Sequence, residues 1–318
     1  MNYNVIRLEK LLFYFLPNCI KKIIIKRKQK KDLHEAQQRA KRTKVSKEEL
    51  KEIIDGLNIG ECDIILHSSM MSIGTIKGGV KWVVNCLFEK VDISKNTILV
   101  SALPYRGRFK DYLERGVVFD VRDAPIEMGG INEYIGSLPN AKRSIHPTHS
   151  VVAVGKNAEE YVSGHHLDKT PFGVNSPYYK IIKNRGKAIM FGASMDYFTC
   201  IHAMEDMLGD LYPGKLYGDK RYKVKCIDYE GKELWVETPY HTPLQSSIRT
   251  SFNSLDKVLL DNYVFDGVNI GESLIIIVDL YKYTICYLNE IKKGRTIYGK
   301  VKVTKELRSK IDEIINSL

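Results

Sequence analysis

The stretch Cys62-Asp-Ile-Ile-Leu-His-Ser-Ser-Met-Met-Ser-Ile-Gly74 decides the fold class of this 318-residue chain. Its first five residues form a short, mainly apolar run, which predicts a buried strand, and the run ends in His67-Ser-Ser69. A glycine-containing turn over residues 74–79 then leads to a helix that we predict over Lys81 to Val91. A buried strand that passes through a Ser/Gly turn into a helix is typical of a layered α/β domain.

Further strands and helices alternate on both sides of this unit. Upstream, Ser46-Lys-Glu-Glu49 has the form of a capping box and opens a helix that ends near Gly56. Downstream, the apolar patterns predict a strand over Thr97–Leu103, a helix over Tyr178–Asn184, a strand over Ala188–Phe191, a helix near Thr199–Leu208, a hairpin over Tyr222–Thr238, a strand over Leu274–Leu280 and a C-terminal amphipathic helix. We therefore expect a layered α/β/α domain with a mixed, largely buried sheet over residues 45–318.

The formal net charge of +11 is concentrated at one end of the chain. Residues 1–44 carry 13 Lys and Arg against three acidic residues, and the rest carries 36 basic and 35 acidic groups. A basic excess over a whole domain would favour nucleic-acid binding, whereas here the domain itself is close to neutral. We therefore treat residues 1–44 as a separate basic amphipathic helical extension.

This extension has three interpretations. Val5 to Ile25 mixes apolar and basic residues and runs into a lysine-rich segment, a pattern that suits a helix at an anionic bilayer surface. A helix that docks on its own domain, or on a second copy in a homodimer, explains the same pattern. RNA binding would want aromatic residues within the basic run, and residues 26–44 contain none, so we expect no nucleic-acid partner.

Six dispersed cysteines without a CxxC pair argue against a zinc ribbon and against a disulfide scaffold. No apolar run reaches the roughly 18 residues of a spanning helix, and the N-terminus does not have the form of a secretory signal. We expect a cytoplasmic protein, with peripheral contact at the inner face of the membrane through residues 1–44.

Polar motifs at strand ends and on one helix are the candidates for chemistry. His67-Ser-Ser69 offers hydroxyl and backbone N–H groups of the kind that hold phosphates, and Arg143-Ser-Ile-His-Pro-Thr-His-Ser150 adds a guanidinium. Thr199-Cys-Ile-His-Ala-Met-Glu205 places His202 and Glu205 three residues apart, on one helical face, as a base and its orienting carboxylate would be.

These motifs allow three other interpretations. A metal-dependent amidase or deacetylase would use nitrogen and oxygen ligands drawn from His146, His149, His202 and Glu205. Cys200 as a nucleophile has poor geometry relative to His202, so we expect it in the core. Gly209 to Lys215 has the spacing of a P-loop, but Leu216 replaces its Ser/Thr and the segment follows a helix, so we predict a plain loop.

Taken in order, several motifs resemble the aminoglycoside 3-N-acetyltransferase family, and in particular members linked to surface-polysaccharide synthesis. The resemblance covers roughly residues 46–318 and leaves out residues 1–44. The segments that carry it are Leu66–Gly74 with Lys77-Gly-Gly79, Phe119–Pro125 with Met128-Gly129 and Glu133, Arg143–Ser150, Gly173–Pro177 and Thr199–Glu205.

The resemblance implies an acyltransferase that moves an acetyl group from acetyl-CoA to the amine of an amino sugar, with no metal. His202 would be the general base, Glu205 would orient it, and His146 would shape the same site. The coenzyme contacts that it implies are His67, Ser68, Ser69, Gly74, Arg143, Ser144 and Thr199.

The prediction of the substrate rests on charge. A neutral domain, with Arg106, Arg108 and Arg122 in one region of the sequence, favours a nucleotide-linked amino sugar for surface polysaccharide synthesis. The alternative is a true aminoglycoside 3-N-acetyltransferase that confers antibiotic resistance.

Overall fold

In a computed structural model, residues 43–241 and 264–318 are described, together with 30–31, 33–35, 37–38, 41, 258 and 262. The predicted amphipathic helix over Val5 to Ile25 lies outside the described residues. No helix of the described ranges is both long and apolar enough to cross a bilayer.

Most of the predicted elements form, with ends displaced by a few residues. The strands are β1 Lys44–Val45, β2 Ile64–Ser68, β3 Thr75–Ile76, β4 Thr97–Ser101, β5 Val118–Asp120, β6 Lys142–Arg143, β7 Val151–Gly155, β8 Lys187–Phe191, β9 Tyr217–Ile227, β10 Glu233–His241, β11 Phe265–Ile270, β12 Ser273–Asp279, β13 Arg295–Thr296 and β14 Gly299–Lys300. The α-helices are α1 Lys47–Gly56, α2 Met70–Ile73, α3 Gly79–Val91, α4 Phe109–Leu113, α5 Gly130–Gly136, α6 Ala158–Val162, α7 Pro177–Lys183, α8 Ile201–Asp206, α9 Leu280–Lys292 and α10 Lys305–Ser317. Short 3₁₀ turns cover His165–Leu167, Met195–Tyr197 and Gly209–Leu211.

A seven-stranded mixed sheet forms the centre of the fold, in the order β11-β12-β8-β2-β4-β7-β6. Its inner strands β8, β2 and β4 are parallel, and the strands outside them pair antiparallel. A second sheet of order β10-β9-β5 contains the predicted hairpin. The expectation of a mixed sheet is therefore confirmed.

Helices cover both faces of the large sheet because its inner strands are apolar on both sides. Ile65 and Leu99 pack in one core with α7, α8, α9 and α10. Their neighbours Ile64 and Ile98 point to the opposite core, with α1, α3 and α5. A strand that is buried on both faces reads as a continuous apolar run, which is the pattern of Ile64 to Leu66. The α/β/α layering is confirmed.

The carboxyl ends of the parallel strands meet at one edge of the sheet. His67 and Ser68 of β2 lie in register with Met190 and Phe191 of β8. Residues 192–200, which include the 3₁₀ turn Met195–Tyr197, connect β8 to α8. Ligands of open α/β sheets bind outside the carboxyl ends of the strands. The topology therefore brings the His67-Ser-Ser69 segment to the same edge as the connection to α8.

Candidate active site

The predicted His202–Glu205 pair forms on α8. His202 Nδ1 lies 2.8 Å from Glu205 Oε2, and the spacing of three residues puts both side chains on one face of the helix. Glu205 has no exposed surface, whereas 19% of the His202 side chain is exposed. When Nδ1–H donates this hydrogen bond to Glu205, the lone pair of Nε2 is the basic site of the ring.

Three tyrosines surround the Glu205 carboxylate. Tyr212 and Tyr287 donate to Oε1 at 3.0 and 3.1 Å, and Tyr298 approaches Oε2 at 3.5 Å. Burial, and after it the charge of Glu205, raises the pKa of Tyr212 and of Tyr287, so both phenols keep their protons. The sequence carries no local signal for these contacts. Tyr287 and Tyr298 lie 82 and 93 residues from Glu205, and Tyr212, seven residues away, follows α8 in a turn whose direction the sequence pattern does not show.

Ring contacts extend from His202 toward the 143–150 loop. The Phe172 ring lies with its centroid 5.3 Å from His202 and 4.9 Å from His149. Phe172 also contacts Tyr178, whose hydroxyl lies 3.1 Å from Ser101 Oγ at the end of β4. Phe172 thus forms an apolar wall between two histidines.

His146 lies behind His149 rather than beside His202. It is fully buried, its Nδ1 accepts from the backbone N–H groups of Thr148 and His149, and its ring stacks on His165 at 4.6 Å. Burial, with the two neighbouring histidines, lowers the pKa of His146 well below its ordinary value. His146 therefore holds the conformation of its own loop, and its burial does not suit a proton carrier; a direct part in shaping the His202 site stays a prediction.

Hydrogen bonds connect the hydroxyl of Ser68, at the end of β2, to the end of β4. Ser68 Oγ donates to Asn132 Oδ1 at 3.2 Å, and Asn132 Nδ2 donates to the Ser101 carbonyl at 2.8 Å. Ser69 Oγ lies 2.7 Å from Ser72 Oγ. Both serines keep part of their surface, so they fit a coenzyme contact.

The other predicted coenzyme contacts differ in how well they fit. Thr199 is half-buried and donates to the Tyr197 carbonyl at 3.2 Å, which leaves it at the surface near His202. His67 is buried, and burial lowers its pKa to about 4, so it is neutral at pH 7. Gly74 has a φ of +120° and a Cβ there would lie 2.9 Å from the Thr43 carbonyl oxygen, so backbone packing accounts for the glycine.

Arg143 and Ser144 do not fit the predicted contact with the coenzyme, because their polar atoms serve the fold. Only 7% of Arg143 is exposed, and its guanidinium donates to the carbonyls of Ala102, Pro125 and Ala124 and to the Ser150 hydroxyl. The completely buried Ser144 hydroxyl contacts His165 and accepts from the Val151 N–H. A guanidinium that is used in this way cannot also fork onto a phosphate.

Two alternatives from the sequence receive no support. Cys200 is completely buried and burial raises its thiol pKa, as expected for a core residue rather than a nucleophile. Within the described ranges, no group of three or more His, Cys, Asp or Glu side chains could hold a metal ion. The ligand set proposed for a metal-dependent amidase is thus not assembled there.

The positive residues that favoured an anionic sugar nucleotide are largely paired. Arg106 contacts Glu127, and Arg122 donates to both oxygens of Asp120, at 2.9 and 2.6 Å. Opposite charges at such distances cancel most of the field that a distant anion would experience.

The family model for aminoglycoside 3-N-acetyltransferases matches residues 65–287, which is more than half of the chain. The match contains the His67-Ser-Ser69 segment, the 143–150 loop and the His202–Glu205 pair.

Curated relatives carry the same description. An aminoglycoside N(3)-acetyltransferase III of Pseudomonas aeruginosa is 27% identical over 57% of this chain and 68% of its own length. One of Serratia marcescens is 29% identical over 48% of this chain and 61% of its own length. A prophage-derived aminoglycoside N(3')-acetyltransferase-like protein of Bacillus subtilis is 30% identical over 55% and 66%. The chain thus spans about two thirds of the length of these relatives.

Solved structures share the fold. AAC-IIIb, solved as a binary complex with CoASH, superposes with a TM-score of 0.64 at 23% identity, over 79% of this chain and 97% of its own. The AAC(3)-IVa apoenzyme superposes with a TM-score of 0.63 at 20% identity, over 86% of this chain and 98% of its own. AAC-VIa bound to sisomicin superposes with a TM-score of 0.58 at 23% identity, over 77% of this chain and 96% of its own. Likeness at this identity supports the fold alone.

These comparisons confirm the predicted family, with its acyltransferase class and with acetyl-CoA as the cosubstrate of that class. The predicted link to polysaccharide synthesis is not confirmed by these comparisons. The match over residues 65–287 places the chain in the aminoglycoside 3-N-acetyltransferase family.

Proposed function

We propose that this protein transfers an acetyl group from acetyl-CoA to an amine of an aminoglycoside, with His202 as the general base. The observation that carries the proposal is the hydrogen bond between the partly exposed His202 ring and the fully buried Glu205 carboxylate. A carboxylate in this position fixes the imidazole tautomer and stabilises the imidazolium that forms when the ring takes a proton.

The pair meets the chemical demand of amide formation. The neutral acceptor amine attacks the thioester carbonyl carbon, and the new C–N bond forms as His202 Nε2 takes the proton that the nitrogen loses. The C–S bond then breaks, and the departing thiolate takes that proton, which leaves the amide and free coenzyme A. Because one proton moves from nitrogen to sulfur, the His202 ring returns to its starting form after each turnover.

The thioester oxygen gains negative charge while the amine attacks. Hydroxyl or N–H donors that are aimed at this oxygen stabilise the charge, because they are already oriented when it develops. Ser69 and Thr199 are our candidates, since each keeps part of its surface at this edge of the sheet. We propose that Ser68 and Ser69 contact the coenzyme, and that Arg143, Ser144 and His146 hold the adjoining loop.

An aminoglycoside is the acceptor that the relatives favour over a nucleotide-linked sugar. All three curated relatives described above carry aminoglycoside acetyltransferase names. The pairing of Arg106 with Glu127 and of Arg122 with Asp120 weakens the argument from charge for a pyrophosphate-linked substrate.

Release of the coenzyme A thiol with a panel of acceptors tests the proposal. The panel contains sisomicin, apramycin, free glucosamine and a nucleotide-linked amino sugar, each with acetyl-CoA, with and without a chelator. We expect acceptor-dependent thiol release with an aminoglycoside, a product heavier by one acetyl group on an amine, and no effect of the chelator. Turnover of the nucleotide-linked sugar alone would overturn the choice of acceptor, and no release with any amine would overturn the proposed activity.

A further inference from the structure

The buried carboxylate of Glu205 is enclosed by hydrogen-bond partners on both oxygens. Oε1 accepts from Tyr212 at 3.0 Å and from Tyr287 at 3.1 Å, and Oε2 lies 2.8 Å from His202 Nδ1 and 3.5 Å from Tyr298. A carboxylate has about four lone-pair positions, and these four partners lie around both of its oxygens. The Glu205 side chain is completely buried, so these partners replace the water that an exposed carboxylate would contact.

The three phenols reach Glu205 from three separate segments. Tyr212 directly follows the 3₁₀ turn Gly209–Leu211, Tyr287 lies within α9, and Tyr298 lies in the turn between β13 and β14. Tyr287 and Tyr298 therefore come from the last quarter of the chain, far in sequence from the helix that carries His202. The C-terminal segments thus complete a site whose reactive residues lie on α8.

Tyr212 and Tyr287 are neutral donors that keep their protons. Burial, and after it the charge of Glu205, raises the pKa of Tyr212 and of Tyr287 above the ordinary value. A neutral donor stabilises the carboxylate without neutralising it, whereas a lysine or arginine in the same place would cancel the charge that His202 needs.

Two further carboxyl groups lie on the helices that carry His202 and Tyr287. Asp206, the next residue, bonds to the hydroxyl of Tyr217 at the start of β9 at 2.8 Å. Burial, with the nearby charge of Glu205 as a smaller cause, raises the pKa of Asp206 to about 7. On α9, Glu290 is paired with Lys293 and Arg295.

We propose that Tyr212, Tyr287 and Tyr298 are positioning residues that set the basicity of His202 by sharing the charge of Glu205. The inference rests on the proposed function, in which His202 is the general base. Each phenol takes part of the negative charge, so that the carboxylate orients the imidazole without holding its proton too strongly. Loss of the phenols leaves a more basic carboxylate, which binds the imidazolium more tightly.

The test uses Tyr212→Phe, Tyr287→Phe and the double variant in the full-length chain. Phenylalanine keeps the ring and removes only the donor. We expect about a tenfold loss of kcat for each single variant, equal to about 1.4 kcal/mol, with little change of KM. In the double variant, the acidic limb of the pH profile of kcat/KM moves by about 0.5 to 1 pH unit toward higher pH, because His202 keeps its proton up to a higher pH.

Tyr161→Phe is the matched control. Tyr161 is also a fully buried tyrosine that donates to a carboxylate, at 2.6 Å from Asp63 Oδ2, but it lies on α6 and away from Glu205. We expect this variant to lose stability while its pH profile matches that of the wild type. An equal displacement of the limb in Tyr161→Phe would assign the effect to general loosening of the fold.

An NMR titration of the His202 ring separates this inference from the proposed function. It needs no acceptor and reads the midpoint of His202 directly, so it applies even when the wild type acetylates nothing. A titration midpoint of His202 at higher pH in the double variant than in the wild type supports the inference. A midpoint and a pH profile that both equal those of the wild type would overturn it, and absence of wild-type turnover would overturn only the proposed function.

Discussion

At the scale of the residue, Arg143 shows that a charged side chain in a polar motif can belong to the fold rather than to a ligand. Burial lowers its pKa to about 10, so it is still charged at neutral pH. It then requires several acceptors, which the carbonyls of Ala102, Ala124 and Pro125 supply. The sequence shows the charge but not the three carbonyls, and for this reason the motif favoured a phosphate contact.

Replacement of Arg143 by methionine tests this interpretation. The variant keeps a long apolar side chain but leaves buried carbonyls without a donor, so we expect a loss of about 2 to 4 kcal/mol in the free energy of unfolding. Urea denaturation measures the loss, and calorimetry should give an affinity for acetyl-CoA within about threefold of the wild type, since the guanidinium is already occupied by the fold. A stable variant with coenzyme binding weaker by about tenfold, or about 1.4 kcal/mol, would instead support the contact that the family resemblance implies.

At the scale of the element, local patterns were predicted well and pairings between distant segments were not. The capping box is present, since Ser46 Oγ accepts from the Glu49 N–H at 3.1 Å and Glu49 reaches back to the Ser46 N–H. These contacts span three residues, which a sequence pattern encodes. The bond from Tyr287 to Glu205 spans 82 residues and has no local signal. The segment Gly209 to Lys215 is not a P-loop, as its sequence predicts, and it opens with the 3₁₀ turn Gly209–Leu211. Nothing in its sequence indicates that Tyr212 reaches the carboxylate.

The cap of α9 offers a prediction at this scale, because α9 carries Tyr287. Asp279 Oδ1 accepts from the Lys282 N–H at 3.0 Å, which satisfies one of the free N–H groups at the start of the helix. We expect Asp279→Ala to lower the free energy of unfolding by about 1 kcal/mol in urea denaturation, and Asp279→Asn to stay within about 0.5 kcal/mol of the wild type. Equal losses in both variants would show that charge, and not capping, is the relevant property.

At the scale of the whole molecule, a nearly neutral α/β/α domain follows a strongly basic N-terminal segment. The domain boundary at residue 45, the bilayer contact of residues 1–44 and self-association as a homodimer stay predictions. The layered architecture was predictable because both faces of β2 and β4 are apolar in the sequence. The antiparallel outer strands of the sheet were not, because strand order depends on long-range contacts.

Buried histidines make the stability of the domain depend on pH. Burial lowers the pKa of His67 from 6.5 to about 4 and that of His165 to about 3, and that of His146 falls well below 6.5. Their contribution to stability is complete above pH 6.5, where both folded and unfolded chains hold them neutral. It is lost as the pH falls toward 4, because the unfolded chain then binds protons that the folded chain does not.

The slope that each of these histidines contributes rises from about half of 1.4 kcal/mol per pH unit at pH 6.5 to nearly all of it at pH 5. Asp206 offsets the slope of about one histidine. Its raised pKa of about 7 means that the folded chain binds a proton there between pH 6 and pH 5, while the unfolded chain does not. We expect the free energy of unfolding in urea to fall by about 2 kcal/mol between pH 6 and pH 5. An unfolding free energy that is constant over this range would contradict the burial of these rings.

The most direct test of the central claim compares the His202→Gln variant with the wild type in acetyl transfer to an aminoglycoside. His166→Gln serves as the control, since His166 is a partly buried histidine outside the proposed site. We predict that His202→Gln lowers kcat by about 10²- to 10⁴-fold, with acetyl-CoA affinity within about threefold of the wild type, and that His166→Gln keeps its activity. A His202→Gln variant that retains kcat within about threefold of the wild type would contradict the assignment of His202 as the base.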